Sequence, residues 1–320
     1  MLKDHVKVAA AQLTPVFYSK GETINKACRV IEEAGHNGAE LVVFPETFIP
    51  GYAYWRGVTP ISKWSDLMVQ YQKDSLRIPS PETDMLCEVT KNANIFCAIG
   101  VSEISGRPGS ATLYNSILFI TNKGEIMGKH RKLMPTHSER SVWGLGGPED
   151  VQVYDTPIGR LGGLVCYENH MTLLKGAMSH MGEEIHCALW PGWWVMEKHS
   201  GAKRRINPEV DSPHLCEIEY GVREYAFETQ TFVISVSPYV PEKDMPEEGK
   251  AFNMAAGGSF IVNPSGLPIV EPVFEKETII YATLDVDVWR ASKAYFDAVG
   301  HYSRPDIFQL LMNQKPITPL

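Results

Sequence analysis

The chain has 320 residues, 44% of them hydrophobic and 21% charged, enough to fill a large core and unlike a disordered or low-complexity sequence. Its formal net charge of -8 excludes a nucleic-acid partner, because a surface that tracks phosphates concentrates lysine and arginine, and the one compact basic run, Lys129-His130-Arg131-Lys132, is too short to alter that. No apolar run reaches the roughly 18 residues of a membrane span, and Met1-Leu2-Lys3-Asp4-His5 has no apolar signal segment, so a cytoplasmic protein without a membrane partner is expected.

Taken in chain order, short β-branched runs alternate with amphipathic stretches. Val6 to Leu13 reads as a strand, Glu22 to Asn37 as a helix and Leu41 to Phe44 as a buried strand. Ile95 to Val101, Ser116 to Thr121 and Glu125 to Lys129 follow as strands, with Asn122-Lys123-Gly124 as hairpin turn chemistry between the last two. Later, Phe260 to Gly266 echoes Phe119 to Gly124, which hints at two related half-sheets. Pro238 to Gly249 is the nearest approach to a break, and it is short. A last strand at about Thr278 to Leu284 leads into a helix, Val286 to Tyr295. Hairpins mixed with βα units fit two mixed sheets packed face to face, helices outside, better than a doubly wound parallel sheet. The expected organisation is one α/β domain over residues 1–285, followed by a C-terminal helix and tail, 286–320. The apolar Phe308, Leu310 and Leu311 of that tail suggest an interface with a second copy of the chain.

The six cysteines, at 28, 87, 97, 166, 187 and 216, form no CxxC pair, so neither a disulfide framework nor a zinc site is indicated. Cys166 differs in context. The apolar strand Leu161-Gly162-Gly163-Leu164-Val165 runs into it, and a segment with helical spacing, Met171 to Met181, follows. A cysteine on a strand-to-helix turn lies near amide donors that favour the thiolate, and the N-H groups just after it are placed to bind an oxyanion. Taken alone, the reading of a small buried hydrophobe, as for Cys97 and Cys187, is the better one. A metal site from Cys166 and His170 lacks a second ligand pair.

Two other strands end in an ionisable residue. Leu41-Val42-Val43-Phe44-Pro45-Glu46 delivers a carboxylate whose partial burial would raise its pKa toward that of a general base. Lys132, at the end of Glu125 to Arg131, has the charge to stabilise an anionic adduct and to bias a nearby cysteine toward thiolate. For each in isolation a surface salt bridge is the commoner explanation.

The set Phe44-Pro45-Glu46, His130-Arg131-Lys132-Leu133-Met134-Pro135-Thr136 and Val165-Cys166-Tyr167-Glu168 resembles the nitrilase superfamily, which uses a glutamate, a lysine and a cysteine in that order. The likeness runs from Val6-Lys7-Val8-Ala9-Ala10-Ala11-Gln12 to His301-Tyr302-Ser303-Arg304-Pro305-Asp306. Arg131 to Thr136, continuing to Glu139-Arg140 and Trp143-Gly144, is similar to the nitrilase branch. The resemblance implies a four-layer α-β-β-α sandwich, no cofactor, no metal, and homodimers that often grow into spirals. It also implies that a nitrile is attacked by Cys166, with Glu46 shuttling protons, Lys132 stabilising the adduct, and Glu139 positioning Lys132 or sharing proton transfer. Acid and ammonia result, through a thioimidate and a thioester.

One position departs from the family: Tyr167 stands where nitrilases usually have tryptophan. Pocket walls are expected from Tyr52, Tyr54 and Trp55, from Tyr167, and from Trp190-Pro191-Gly192-Trp193-Trp194, and this aromatic richness suggests an apolar or aryl nitrile. Core or interface packing explains the same residues equally well. His137 and His170 are placed near the site, with a structural role as the commoner alternative. Cyanide hydratases or dihydratases and amidases or carbamoylases share the Glu-Lys-Cys set and remain alternatives, as does a non-enzymatic scaffold.

Overall fold

The computed structural model describes residues 2–57, 59–193, 217–252 and 255–313. Its first sheet is built from β1 (His5–Gln12), β2 (Leu41–Val43), β3 (Leu76–Arg77), β4 (Phe96–Ile104), β5 (Leu113–Ile120), β6 (Ile126–Arg131) and the late strand β13 (Thr278–Asp285), in the order β13-β1-β2-β4-β5-β6, with β3 pairing β4. The second sheet holds β7 (Tyr154–Thr156), β8 (Gly159–Val165), β9 (Ile185–Leu189), β10 (Phe232–Val236), β11 (Gly257–Val262) and β12 (Pro268–Phe274), ordered β12-β11-β10-β9-β8-β7. Within each sheet a parallel trio, β1-β2-β4 or β8-β9-β10, is flanked by antiparallel strands.

Residue alternation explains how the first sheet divides two cores. Val8, Ala10, Leu41, Val43, Ala98, Ile117 and Phe119 pack into a core shared with Leu161, Leu164, Ile185, Leu189 and Phe260 of the second sheet. Their neighbours Ala9, Ala11, Val42, Cys97, Ile99, Leu118 and Ile120 face outward onto α1 (Lys20–His36) and α3 (Pro81–Ala93), through Ile24, Ala27, Ile31, Leu86 and Val89. On the second sheet, α4 (Thr172–His180) and α5 (Glu217–Thr229) supply Leu174, Met178, Val222 and Tyr225. The layers are therefore helix, sheet, sheet, helix, as expected.

The expected helix near Glu22 to Asn37 is α1, and the C-terminal helix α6 (Val286–Tyr295) has the expected ends. The two similar turns both lie between antiparallel strands, β5–β6 and β11–β12, with Gly124 at φ 77° and Gly266 at φ 73°. The sequence reading leaves α2 (Ile61–Asp74), α3 and α5 unassigned. Only Met68 and Tyr71 of α2 are buried, so it shows no continuous apolar stripe. The start of α3 does carry a local signal: Ser80 accepts a hydrogen bond from the Thr83 N-H and Pro81 occupies the first turn. No described helix is long and apolar enough to cross a membrane.

Candidate active site

Glu46 follows β2 on a loop pressed against the sheet. A Cβ at residue 100 of β4 would lie 2.1 Å from the Pro45 carbonyl and 2.8 Å from the Glu46 Cα, so Gly100 is what lets this loop approach. The Glu46 N-H donates to the Trp190 carbonyl at 3.3 Å, across to the second sheet's strand ends. Lys132 leaves β6 with its N-H on the Asn115 carbonyl at 2.8 Å. Glu139 sits in a 3-10 turn, His137–Ser141, where it takes the Thr136 N-H at 2.6 Å, a capping arrangement that fixes its carboxylate. Cys166 begins another 3-10 turn, Cys166–His170, directly after β8, and has φ 56°, a left-handed conformation that costs a non-glycine residue free energy.

All four side chains are buried. The Lys132 ammonium donates to Glu139 Oε2 at 2.7 Å and to Glu46 Oε1 at 3.2 Å. Asn115 donates to the same Glu46 oxygen at 2.5 Å, while Glu46 Oε2 is buried with no hydrogen-bond partner. Tyr52 donates its hydroxyl to Glu139 Oε1 at 2.5 Å. Sequence reasoning names neither Asn115 nor this use of Tyr52. A lone asparagine on β5 carries no motif, and only the β5–β6 register puts it beside the lysine.

Burial pushes the Glu46 carboxyl up to about 7, with Glu139 pushing the same way and Lys132 and Asn115 opposing. Burial would raise Glu139 too, but Lys132 and Arg56 with the Tyr52 hydrogen bond hold it below the usual range. Burial alone would lower Lys132; the Cys166, Glu139 and Glu46 charges reverse this and hold it above the ordinary lysine value. Cys166 departs from the expectation of a resting thiolate. Burial raises its thiol well above the ordinary value, Glu46 and Glu139 add to this, and the opposing pull of Lys132 and the Tyr167 N-H is smaller. The buried cluster thus sets a thiol beside a carboxylate whose pKa is raised to about 7, which is an acid-base pair rather than a preformed ion pair.

The aromatic residues divide. Tyr52 lies at the site, stacked on Trp143 and under the Arg56 guanidinium, 4.4 Å from its ring. Trp190 is buried beside the Glu46 backbone with its ring against His170. Tyr54 donates to the Pro191 carbonyl at 2.5 Å within a cluster that also holds Trp55 and Tyr71. Trp193 packs edge-on to Phe260 and Phe274 in the inter-sheet core. Tyr167 is 38% exposed, its ring on His170 and its hydroxyl donating to Glu217 on α5, so its side chain does not form the expected inner wall. His170 is half-buried against Gly221 of α5, and burial lowers its pKa. His137 is exposed. Trp194 and Cys216 lie outside the described residues. Among the described residues, no group of three or more histidine, cysteine or acidic side chains is arranged to hold a metal ion.

The chain is 38% identical to an aliphatic nitrilase of Rhodococcus rhodochrous over 98% of its own length and 84% of that protein. It is 34% identical to a bifunctional nitrilase/nitrile hydratase, NIT4B, of Nicotiana tabacum, over 98% of this chain and 88% of the other. Among solved structures, Saccharomyces cerevisiae Nit3, a member of branch 10 of the nitrilase superfamily, superposes with a TM-score of 0.72 at 22% identity, covering 94% of this chain and 97% of Nit3. The carbon-nitrogen hydrolase family model matches residues 7–294. With the two-sheet sandwich and the Glu46, Lys132 and Cys166 side chains gathered in one buried cluster, the chain belongs to the carbon-nitrogen hydrolase family.

Proposed function

We propose that this enzyme hydrolyses an organic nitrile to the carboxylic acid and ammonia, with Cys166 as nucleophile, Glu46 as proton shuttle, Lys132 as anion stabiliser and Glu139 holding Lys132. The observation that carries the reading is the buried ammonium bonded to two carboxylates in the same cluster as the thiol. The names of the relatives supply the nitrile.

Glu46 Oε1 is engaged by Asn115 and Lys132, so the open Oε2 is the atom that takes the thiol proton as sulfur attacks the nitrile carbon. Returned to nitrogen, that proton gives a neutral thioimidate. Glu46 next deprotonates a water that adds to the thioimidate carbon and passes that proton to the nitrogen, giving a hydroxyl and an amine on one carbon; it then moves the hydroxyl proton to the departing nitrogen as the carbonyl forms. Loss of ammonia leaves a thioester, and a second water releases the acid and restores the thiol. Each addition passes through a negatively charged adduct, which is where a fixed, fully charged Lys132 lowers the barrier. Tyr52 and Trp190, which border the reacting groups, are assigned to the pocket wall. Tyr54, Trp193, His170 and Tyr167 stand one layer back.

The bifunctional name of the tobacco relative favours a second product. If the tetrahedral adduct expels the sulfur instead of ammonia, the amide results, with atoms equally balanced. Ammonia, acid and amide measured from aliphatic, aromatic and arylaceto nitriles, cyanide and matching amides test the reading. Acid and ammonia from an organic nitrile support it; turnover of amides alone, of cyanide alone, or of nothing defeats it.

The location is proposed to be cytoplasmic; the cysteines at 28, 87, 97, 166 and 187 are free thiols. The described part of the tail leaves Ile307, Phe308 and Leu311 exposed, and a homo-oligomer contact is proposed to cover them. Truncation after Gly300 is expected to reduce the particle size in light scattering; an unchanged size removes the tail from the interface.

A further inference from the structure

A buried chain of hydrogen bonds runs from α5 to the backbone of Cys166, and the steps above make no use of it. The Asn169 amide Nδ2 donates to the Cys166 carbonyl at 2.8 Å. His186 Nε2 lies 2.8 Å from Asn169 Oδ1, His186 Nδ1 lies 2.7 Å from Glu183 Oε1, and Tyr225 donates its hydroxyl to Glu183 Oε2 at 2.6 Å. The His186 ring is also stacked on Tyr225 with centroids 4.0 Å apart. All four side chains are buried. Room for the Glu183 carboxylate exists because residue 162 has no side chain: a Cβ there would lie 2.1 Å from Glu183 Oε1. This gives the Gly162 of the strand leading to Cys166 a physical role.

The chain has a direction. The carbonyl of Cys166 only accepts, so Asn169 must present its NH2 to it and its Oδ1 to His186. His186 Nε2 must then donate, which fixes the ring orientation, and Nδ1 and Glu183 Oε1 hold one proton between them across 2.7 Å. At the far end, a peptide is planar and trans, so its carbonyl and its N-H point in opposite directions. Holding the Cys166 carbonyl outward therefore aims the Tyr167 N-H inward, toward the Cys166 sulfur, whose charged form it favours.

We infer that Asn169 and His186 are positioning residues: through the Cys166 carbonyl they set the peptide plane that points the Tyr167 N-H at the sulfur and at the anion formed when sulfur attacks. The inference rests on the proposed nucleophile, but one arm of its test needs no turnover. Alkylation of Cys166 by iodoacetamide is followed on its own peptide by mass spectrometry, as a function of pH, in the wild type, Asn169→Ala, His186→Phe and His186→Gln. The charges facing this thiol are Lys132, Glu46 and Glu139, which all four proteins retain.

A misdirected N-H no longer stabilises the thiolate, so in Asn169→Ala and His186→Phe the profile moves to higher pH, with roughly tenfold slower alkylation below its midpoint. His186→Gln keeps one donor toward Asn169 and restores most of the rate. On whichever substrate the wild type turns over, kcat per folded molecule falls roughly 10- to 100-fold in the first two variants, with KM within about twofold. The folded fraction of each variant is read by circular dichroism, because an unfolded chain also exposes the Cys166 thiol to the reagent. Superimposable alkylation profiles, or a phenylalanine variant equal to the glutamine variant, overturn the inference. A wild type inert on every substrate defeats the proposed hydrolysis while leaving the alkylation comparison to decide this point.

Discussion

The two sheets repeat one strand plan and put it to unequal use. Read as β13-β1-β2-β4-β5-β6 and β7-β8-β9-β10-β11-β12, each has an antiparallel edge strand, three parallel strands and an antiparallel pair. Sheet position by sheet position, the first half offers Gln12 at the end of β1, Glu46 after β2 and Lys132 after β6. The second offers Cys166 after β8, Trp190 after β9 and Glu275 after β12. The first half thus holds the acid-base groups and the second the sulfur. The counterpart positions hold the sheets together: Gln12 receives the Ser259 N-H and donates to the Lys276 carbonyl, and Trp190 receives the Glu46 N-H. A strand end is where this fold gathers ionisable side chains, but the proposed reaction needs groups from both halves brought across the core.

The sharpest way to break the comparison is to remove the second half's contribution. Cys166→Ala should abolish turnover, because no covalent route remains, while the small volume change leaves the thermal midpoint within a few degrees. Near-native turnover in Cys166→Ser would remove sulfur from the mechanism. Removing the first half's cation comes next. Lys132→Ala should cost roughly 10²- to 10⁴-fold in kcat/KM. It should also destabilise the fold by about 3–5 kcal/mol, since Glu46 and Glu139 are left facing each other without their buried counter-charge. Urea unfolding of the variant checks the second effect; an unchanged midpoint would show that the carboxylates do not depend on the ammonium.

Glu46→Gln should lower turnover on a similar scale and alter two pH dependences. With its carboxyl raised to about 7, the base form appears as pH rises through neutrality, so kcat/KM should climb through that range. Stability moves the other way. Between the ordinary 4.5 and the raised value, the folded protein binds the Glu46 proton more tightly than the unfolded chain, so this group's contribution falls as pH rises toward 7. Unfolding measured from about pH 5 to 8 should lose that slope in Glu46→Gln; identical slopes would mean that Glu46 is not proton-linked to folding.

How much of this was legible beforehand follows the range of the interactions involved. Strand β1, the Gly124 and Gly266 turns and helix α6 are local patterns of polarity and turn chemistry, and the sequence carries them openly. Glu46, Lys132 and Cys166 are readable as strand ends, but their meeting depends on two sheets packing so that Glu46 and Cys166, 120 positions apart, share one cluster. That step came from resemblance to a family. Asn115 and the Tyr52-to-Glu139 bond were not readable, because a cross-strand register and a loop fold decide them. The resting state of Cys166 escapes the sequence for a related reason: a turn predicts nearby amide donors, whereas burial and two carboxylates, which raise the thiol, belong to the packed structure.

Smaller changes sharpen the comparison within the first half. Tyr52→Phe keeps the ring against Trp143 and deletes one hydrogen bond to a charged carboxylate, a loss of about 1.5–3 kcal/mol and so roughly a tenfold or larger drop in kcat/KM if Glu139 holds Lys132 in the transition state. Glu139→Gln should exceed it, since it also removes the 2.7 Å charge partner of the ammonium. If the phenylalanine variant lost more than the glutamine variant, Tyr52 would have a contact with substrate that outweighs its hold on Glu139.

The smallest effect is expected at Tyr167, where the resemblance to nitrilases implies a tryptophan. Tyr167 follows the proposed nucleophile, yet its ring lies on His170 at the surface and its hydroxyl reaches Glu217 on α5, while its backbone N-H faces the sulfur. The part of the residue that meets the reacting atoms is therefore common to every non-proline amino acid. Tyr167→Trp should change kcat by no more than about fivefold, as expected for loss of one exposed hydrogen bond worth about 1 kcal/mol or less. Tenfold loss on a nitrile, with alkylation of Cys166 unaltered, would place the side chain in contact with substrate and return it to the pocket wall.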